Sequence, residues 1–270
     1  MKLLVHKIKK YIKILRILFS VSTQLVSEYR VSFFLTSFTI ALWLAVYVLR
    51  LHLIFLYTDS FAQYSIWQYL GFLGFYFFVI NLFWFFFEGS LNKLSINIYE
   101  GVIDRLITKP VDSQFIVSFY DFNIPNLFNL LVGLVIFIVS LFQLGISVSI
   151  LQFVLVLYLI ILFIVSVYSL MFSGLCMTFW AGRLKAMESL IRLILDEPAN
   201  VPASLYQGFF KVLFYFILPI ALISTVPTNI FYFEIEYQLI LYYSVFTLIA
   251  FGMSRFVWKR GLKTYSSVSS

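Results

Sequence analysis

Apolar residues fill long windows from which Asp, Glu, Lys and Arg are excluded, and the charged residues gather in the stretches between them. An ionised side chain at mid-bilayer costs at least about 2.5 kcal/mol, so charge-free windows of roughly 20 residues mark membrane spans. Six such windows emerge: 31–49, extendable to 57; 66–87, bounded by Asp59 and Glu88; 126–144; 150–180; 209–226, with Lys211 near its start; and 237–253. The third and fourth share one stretch of 61 residues between Asp121 and Arg183 with no acidic or basic side chain, divided by the turn Gly145-Ile146-Ser147. Pro219 is expected to kink or break the fifth window and Pro227 to end it, because proline lacks a backbone donor and crowds the preceding turn. The pattern predicts an all-α membrane protein with six transmembrane helices.

Two shorter segments carry a two-faced pattern instead. In residues 2–19, Leu4, Ile8, Tyr11, Ile12, Leu15 and Phe19 share one helical face, opposite a stripe of Lys2, Lys9, Lys13 and Arg16. This predicts an interfacial helix, serving either as an anchor on anionic membrane lipid or as a grip on a cytoplasmic partner. The connection between the second and third windows reads Ile98-Tyr99-Glu100-Gly101-Val102-Ile103-Asp104-Arg105-Leu106-Ile107-Thr108-Lys109-Pro110. As a helix over 98–108 it sets Ile98, Tyr99, Val102, Ile103, Leu106 and Ile107 on one face and Glu100, Gly101, Asp104 and Arg105 on the other, with Pro110 ending it. Such a helix either lies on the membrane surface as a simple connector or offers its charged face to another protein.

Charge then fixes the orientation. Of the 19 Lys and Arg residues, seven precede the first window, three lie in the second connection, four between the fourth window and Lys211, and four in the tail, leaving Arg50 alone on the other side. Eighteen against one predicts an even number of spans with both termini cytoplasmic. The expected division is a cytoplasmic N-terminal segment over 1–30, a six-span region over 31–257 and a cytoplasmic tail over 258–270. The segment before the first window lacks the layout of a cleaved secretory signal, so it is expected to be retained.

Composition narrows the chemistry. The chain has 270 residues, of which 62% are hydrophobic and 11% charged, with a mean hydropathy of +0.99. A soluble globular domain carries about 25% charged residues, so this composition excludes one. The net charge of +7 follows from bilayer topology and gives no reason to expect nucleic acid. Cys176 stands alone and reads as an apolar filler, while His6 and His52 are too few and too far apart for a metal site. No metalloprotease, serine-hydrolase or P-loop motif is present, and apart from Lys211 at the start of the fifth the six windows hold no acidic or basic group for a proton relay. The amides Asn81, Asn129, Gln143 and Gln152 are expected to hydrogen-bond between helices.

Four local patterns carry a family resemblance. The run Gly101-Val102-Ile103-Asp104 with Leu106 and Lys109-Pro110 is the first, and Phe179-Trp180 followed by Pro202 and Tyr206 the second. The third is Leu218-Pro219-Ile220-Ala221 with Pro227, and the fourth is the tail from Phe256 to Ser270 with Trp258, Gly261-Leu262, Tyr265 and its serines. In this order the chain resembles the integral membrane permeases of bacterial ABC transporters in the type 2 exporter class. Asp196-Glu197 before Pro198 has no counterpart in that pattern.

The resemblance implies a non-catalytic permease subunit in the bacterial inner membrane. It implies a second permease chain, identical or related, meeting the first through the first and fifth helices, and a separate ATP-binding cassette subunit holding ATP and Mg, with no cofactor on this chain. Residues 98–108 become the coupling helix, with Tyr99, Glu100, Gly101, Asp104, Arg105, Lys109 and Pro110 as the ATPase contact. Relatives of this class export lipids, polysaccharides, drugs or peptides. The competing reading is a membrane scaffold that recruits a cytoplasmic partner without transport.

Overall fold

The computed structural model describes residues 2–28, 30–182, 189, 193–194 and 198–265. Among these the architecture is helical, with one isolated bridge between Phe61 and Tyr64. Helices α1 (Lys2–Glu28), α2 (Arg30–Phe55) and α3 (Ile66–Tyr99) lead to the short α4 (Asp104–Ile107) and α5 (Ser113–Phe119). Then come α6 (Pro125–Gln143), α7 (Ile150–Cys176), α8 (Thr178–Ala181), α9 (Gly208–Val212), α10 (Leu222–Tyr232) and α11 (Tyr237–Thr264). Ser65 and Ser149 start α3 and α7 through capping boxes with Gln68 and Gln152, satisfying amide donors that lipid cannot. Pro125 opens α6, where its missing N–H costs nothing.

Helix α3 is the hub, and α6 lies against it at a separation set by glycines. A Cβ built on Gly133 would sit 2.5 Å from the Phe78 amide nitrogen, and one on Gly74 2.7 Å from that of Phe137. Lipid tails are as apolar as leucine, so helices in a bilayer gain association from close packing rather than from leaving water, and small residues make that approach possible. Helix α7 packs on α3 and α11, with Ser166 and Thr247 sharing a 2.6 Å hydroxyl contact across the second interface. Cys176 is fully buried in this core. Asn81 and Asn129 bond back to Phe77 and Pro125 of their own helices, whereas Gln152 reaches across to the Ile230 carbonyl at 2.8 Å. Of these amides Gln152 makes the expected contact between elements, while Gln143 is exposed.

Two helices run past the ends of their charge-free windows. Helix α3 continues beyond Phe87 for about three turns because its polar extension is bound: Glu88 accepts from the Asn123 and Asn126 amides at 2.7 Å, and Lys93 pairs with Asp121 at 2.6 Å. Helix α11 continues to Thr264, so the division drawn at residue 257 falls inside a helix.

Both described ends of the chain lie at the end of the bundle that carries the 99–110 connection. Lys10 Nζ donates to the Pro110 carbonyl at 2.7 Å, and Trp258 Nε1 to Ser113 Oγ at 3.0 Å. Among the described residues, five helices are long and apolar enough to cross a membrane: α2, α3, α6, α7 with α8, and α11. The pair Gly208–Ile217 and Leu222–Tyr232, bent by 85°, is a sixth span if counted as one or a re-entrant loop.

Its contacts favour the loop and revise the fifth span expected at 209–226. Phe216 packs on Tyr242 near the start of α11, while Asn229 accepts from Tyr64 and Tyr232 reaches Ser140 near the end of α6. Both arms thus keep to the end opposite the connection. Asn200 and Ser204 already touch Tyr47 and the Ala62 carbonyl, so the chain is back in that half by Pro198. Lys211, on the first arm, therefore leaves the side that the sequence count assigned to it. Asp196 and Glu197 lie outside the described residues, as do the serines after Tyr265.

Proline chemistry explains the bend. The residue before a proline is pushed out of the α region, and Leu218 adopts φ −127°, ψ 85° after the π turn Leu213–Ile217. Pro227 does not end a helix as expected; it lies inside α10 and is buried. The hydroxyls of Thr225 and Thr228 donate to the carbonyls of Ala221 and Ser224, supporting the local backbone in a water-free setting.

Cysteines placed at Ser147 and Gln207 in a Cys176→Ala background should react with an impermeant maleimide from the same side of the membrane, and one at Arg105 from the other. Labelling of Gln207 from the Arg105 side would restore a crossing at 209–226. Gly133→Leu should sharply lower the melting temperature in detergent. Gly252→Ala, where nothing lies within 4 Å of the added carbon, should be neutral or stabilise by about 0.5–1 kcal/mol.

Candidate functional site

The connection after α3 is a turn and a one-turn helix rather than the continuous helix expected over 98–108. Helix α3 stops because Gly101 takes φ +74°, a left-handed conformation that side chains disfavour. The Ile103 amide returns to the Asn97 carbonyl at 3.1 Å, closing the turn before α4 begins. Ile98 and Ile103 are buried, and Leu106 and Ile107 pack half-buried on the core. Tyr99 and Val102, assigned by helical projection to the same apolar face, instead point out, at 55% and 37% exposure. The break at Gly101 rotates them away from it.

The outward surface therefore comprises Tyr99, Glu100, Val102, Arg105, Lys109 and Pro110, with Gly101 half-exposed. Asp104 is also half-exposed and lies within electrostatic reach of Tyr265 after α11. The surface combines both signs of charge with an aromatic ring and an aliphatic side chain, a composition suited to register-specific protein contact.

The underside of this connection is tied down by residues that the pattern of the chain does not single out. Asp112 caps α5 by accepting from the Phe115 amide at 2.9 Å and receives both Arg255 terminal nitrogens at 2.8 and 2.6 Å. The Arg255 hydrogen bonds hold the Asp112 carboxyl below its ordinary range, against the opposing effect of burial. Gln114 donates to Tyr168 of α7 at 2.9 Å and Ser254 of α11 at 3.3 Å. The connection is thus joined to the last span by a bidentate ion pair, an indole and an amide.

Helix α1 closes over the same place. Tyr11 accepts from the Asp112 amide at 3.3 Å and sets its ring edge-on to Phe115 at 4.7 Å. Ser22 accepts from the Phe122 amide at 3.0 Å. Its protein-facing register is Tyr11, Ile14, Leu18 and Ser22, whereas Ile8 and Ile12 of the expected apolar stripe are about half exposed.

Parts of the second and fourth sequence patterns meet beside this connection. Phe179 packs on Trp258 at 5.7 Å and Tyr265 at 5.9 Å, and Gly261 lies so close to the Phe179 ring that a Cβ there would collide with it. Pro202 is buried at the other end, and Tyr206 packs on Phe214 at 5.1 Å.

A helical multi-pass membrane body with an exposed, internally braced connection at one end defines a permease-type membrane component. The family model described as ABC-2 family transporter protein matches residues 41–269, and the chain belongs to that family. No curated protein and no solved structure matches it.

Asp112→Asn keeps a cap on α5 but removes the charge facing Arg255, and should destabilise the protein at pH 7 by on the order of 1 kcal/mol for this partly exposed pair. The folded-state pKa of Asp112 is depressed, so the stabilisation is complete above the unfolded value near 4 and is lost as pH falls through the lower folded value. Melting curves of both proteins should differ by a constant amount from pH 8 to 5 and converge below about pH 4.

Proposed function

We propose that this chain forms half of the membrane pathway of an ATP-driven exporter. In this reading it sits in the bacterial cytoplasmic membrane with both termini on the cytoplasmic side, consistent with the basic residues of the N-terminal segment, the second connection and the tail. A second permease chain completes the pathway. Val31, Phe34, Leu35, Phe38 and Trp43 of α2, each more than 60% exposed, provide the apolar surface for that pairing or for lipid. A separate ATP-binding cassette subunit, holding ATP and Mg, docks on Tyr99, Glu100, Gly101, Asp104, Arg105, Lys109 and Pro110.

The observation that carries the proposal is the pairing of an exposed connection with a braced underside in a chain of this family. A force applied at Glu100 or Arg105 meets little local slack: α4 rests on buried Ile103, and the following segment is fixed to α11 by Asp112 and Arg255. Nucleotide-driven movement of a docked subunit would therefore be passed to the spans. A scaffold needs an exposed surface but has no use for that mechanical tie. The domain division then reads as a cytoplasmic segment over 1–30, a permease body over 31–257 and a cytoplasmic tail over 258–270.

Gly101→Trp and Asp104→Arg should leave membrane insertion intact, since neither position lies in a candidate span. Gly101→Trp also adds about 1–2 kcal/mol of backbone strain at a left-handed position. Each variant should reduce co-purification of a P-loop protein from native membranes by at least tenfold and abolish transport. Normal assembly and normal nucleotide-dependent transport in both would move the docking surface elsewhere. An assembled wild-type complex showing no nucleotide-dependent distance change between Arg105 and the partner would favour the scaffold.

A further inference from the structure

A cavity of about 370 Å³ opens among α1, α5, α7 and α11, behind the connection and apart from its exposed surface. Its apolar walls include Phe87, Phe119, Ile164 and Phe251, while Tyr11, Asp112 and Arg255 stand at its polar edge. The charge pattern of the chain sets its depth. Phe87 closes the second charge-free window, Ile164 and Phe251 lie inside the fourth and sixth, and Arg255 comes just after the sixth ends. The walls are thus level with lipid acyl chains and the edge with the head groups. Ile164 is half-exposed and Phe251 exposed, so the cavity is reached from the bilayer.

The edge presents hydrogen-bond donors that the chain leaves unspent. A guanidinium carries five N–H protons, and Arg255 gives one from each terminal nitrogen to Asp112, at 2.8 and 2.6 Å. Its Nε proton and the second proton on each terminal nitrogen have no partner among the described residues. Tyr11 accepts from the Asp112 amide at 3.3 Å, and its own hydroxyl proton is likewise unspent there. Both oxygens of Asp112 are already taken, by Arg255 and by the Phe115 amide. What the edge can take up is therefore an acceptor. Tyr11 lies within electrostatic reach of Arg255, so a single head group can meet both.

The walls and the edge together define the occupant. The volume equals on the order of a dozen waters, but mostly apolar walls give most of them no partner, so the interior suits hydrocarbon. Hydrocarbon joined to an acceptor head is a lipid, and the nearby charges select its sign. The Asp112–Arg255 pair is neutral as a unit, whereas Lys9, Lys13 and Arg16 of α1 are exposed and no acidic residue precedes Glu28. Two phosphate oxygens also match the planar fork of a guanidinium better than one carbonyl does. We propose that the cavity binds one anionic glycerophospholipid, its phosphate oxygens accepting from Arg255 and Tyr11 and part of one acyl chain lying along Phe87, Ile164 and Phe251. This is a seat for a single molecule, distinct from the diffuse attraction of the α1 stripe to a charged surface. The lipid joins α1 to α7 and α11 as a bound component of the fold, so the site is independent of what the chain transports.

The test uses the full chain in phosphatidylcholine vesicles containing a small fraction of phosphatidylglycerol with a diazirine in one acyl chain, compared with phosphatidylcholine carrying the same chain. After irradiation, peptide mapping should place the phosphatidylglycerol adduct on α7 near Ile164 and on α11 near Phe251, about fivefold above the phosphatidylcholine probe, the ratio one partly exposed charge pair supplies. Labelling should saturate as the probe fraction rises. Excess unlabelled phosphatidylglycerol should remove the adducts, and an equal excess of oleate should not. Val165→Trp, which fills the half-exposed rim, should abolish them. Tyr11→Phe keeps the ring on Phe115 and every charge, and should lower phosphatidylglycerol labelling about threefold while leaving the phosphatidylcholine signal unchanged, a split that a merely structural role would not produce. Equal labelling by the two probes, labelling that rises linearly without saturation, displacement by oleate alone, adducts that survive Val165→Trp, or a preference untouched by Tyr11→Phe would each overturn the proposal. If Tyr11→Phe does not fold, the wild-type and Val165→Trp comparisons decide.

Discussion

The contact between α3 and α6 sets the frame for everything else, and it depends on two missing methyl groups. Gly74 and Gly133 allow the two backbones to approach until a side-chain carbon at either position would enter the other helix. In lipid, burying apolar area against another helix gains little, so contact distance decides how much dispersion energy the pair collects. The polar extension of α3 then inherits its direction from this pairing. Glu88 binds the two amides that lead into α6, and Gly89 lets Asp121 lie against the helix, where a Cβ would stand 2.7 Å from its carboxyl carbon.

That rigid extension explains why the connection is a useful handle. It places Tyr99 and Glu100 about three turns beyond the charge-free window, and the left-handed Gly101 turns the chain back onto the core. The return strip is held from two sides, by α1 through Lys10 and Tyr11 and by α11 through Arg255 and Trp258. Helices far apart in sequence thus meet at one short segment, making the membrane end of the connection stiffer than a loop of its length would be alone.

Much of this was legible in the sequence, and the misses have physical reasons. Spans α2, α3, α6, α7 and α11 show themselves because charge is excluded from lipid, a constraint each window obeys by itself. The fifth window misled because hydropathy measures whether a segment tolerates lipid and says nothing about whether it reaches the far side. Leu218-Pro219 marked the bend, but only contacts with Tyr242, Tyr64 and Ser140 reveal that both arms stay together. Gly101 was visible as a glycine, yet its consequence depends on φ, which then turned Tyr99 and Val102 outward. The Asp112–Arg255 pair spans 143 positions, and nothing near either residue points to the other. Arg255 did offer a hint, as a charge immediately beyond an apolar span, where charges usually have assigned partners.

The clasp formed by α1 also imposes an order on biogenesis. Lys10 and Pro110, Tyr11 and Asp112, and Ser22 and Phe122 are separated by 100, 101 and 100 positions. Helix α1 leaves the ribosome well before its binding site and must wait for it, which at synthesis rates of about 5–20 residues per second takes roughly 5–20 seconds. During that interval a basic, amphipathic segment resting on the bilayer surface is protected from the other apolar segments emerging behind it. The exposed Ile8 and Ile12 fit this waiting state as well as the finished one, because the face they present to lipid need not be exchanged when the opposite face docks.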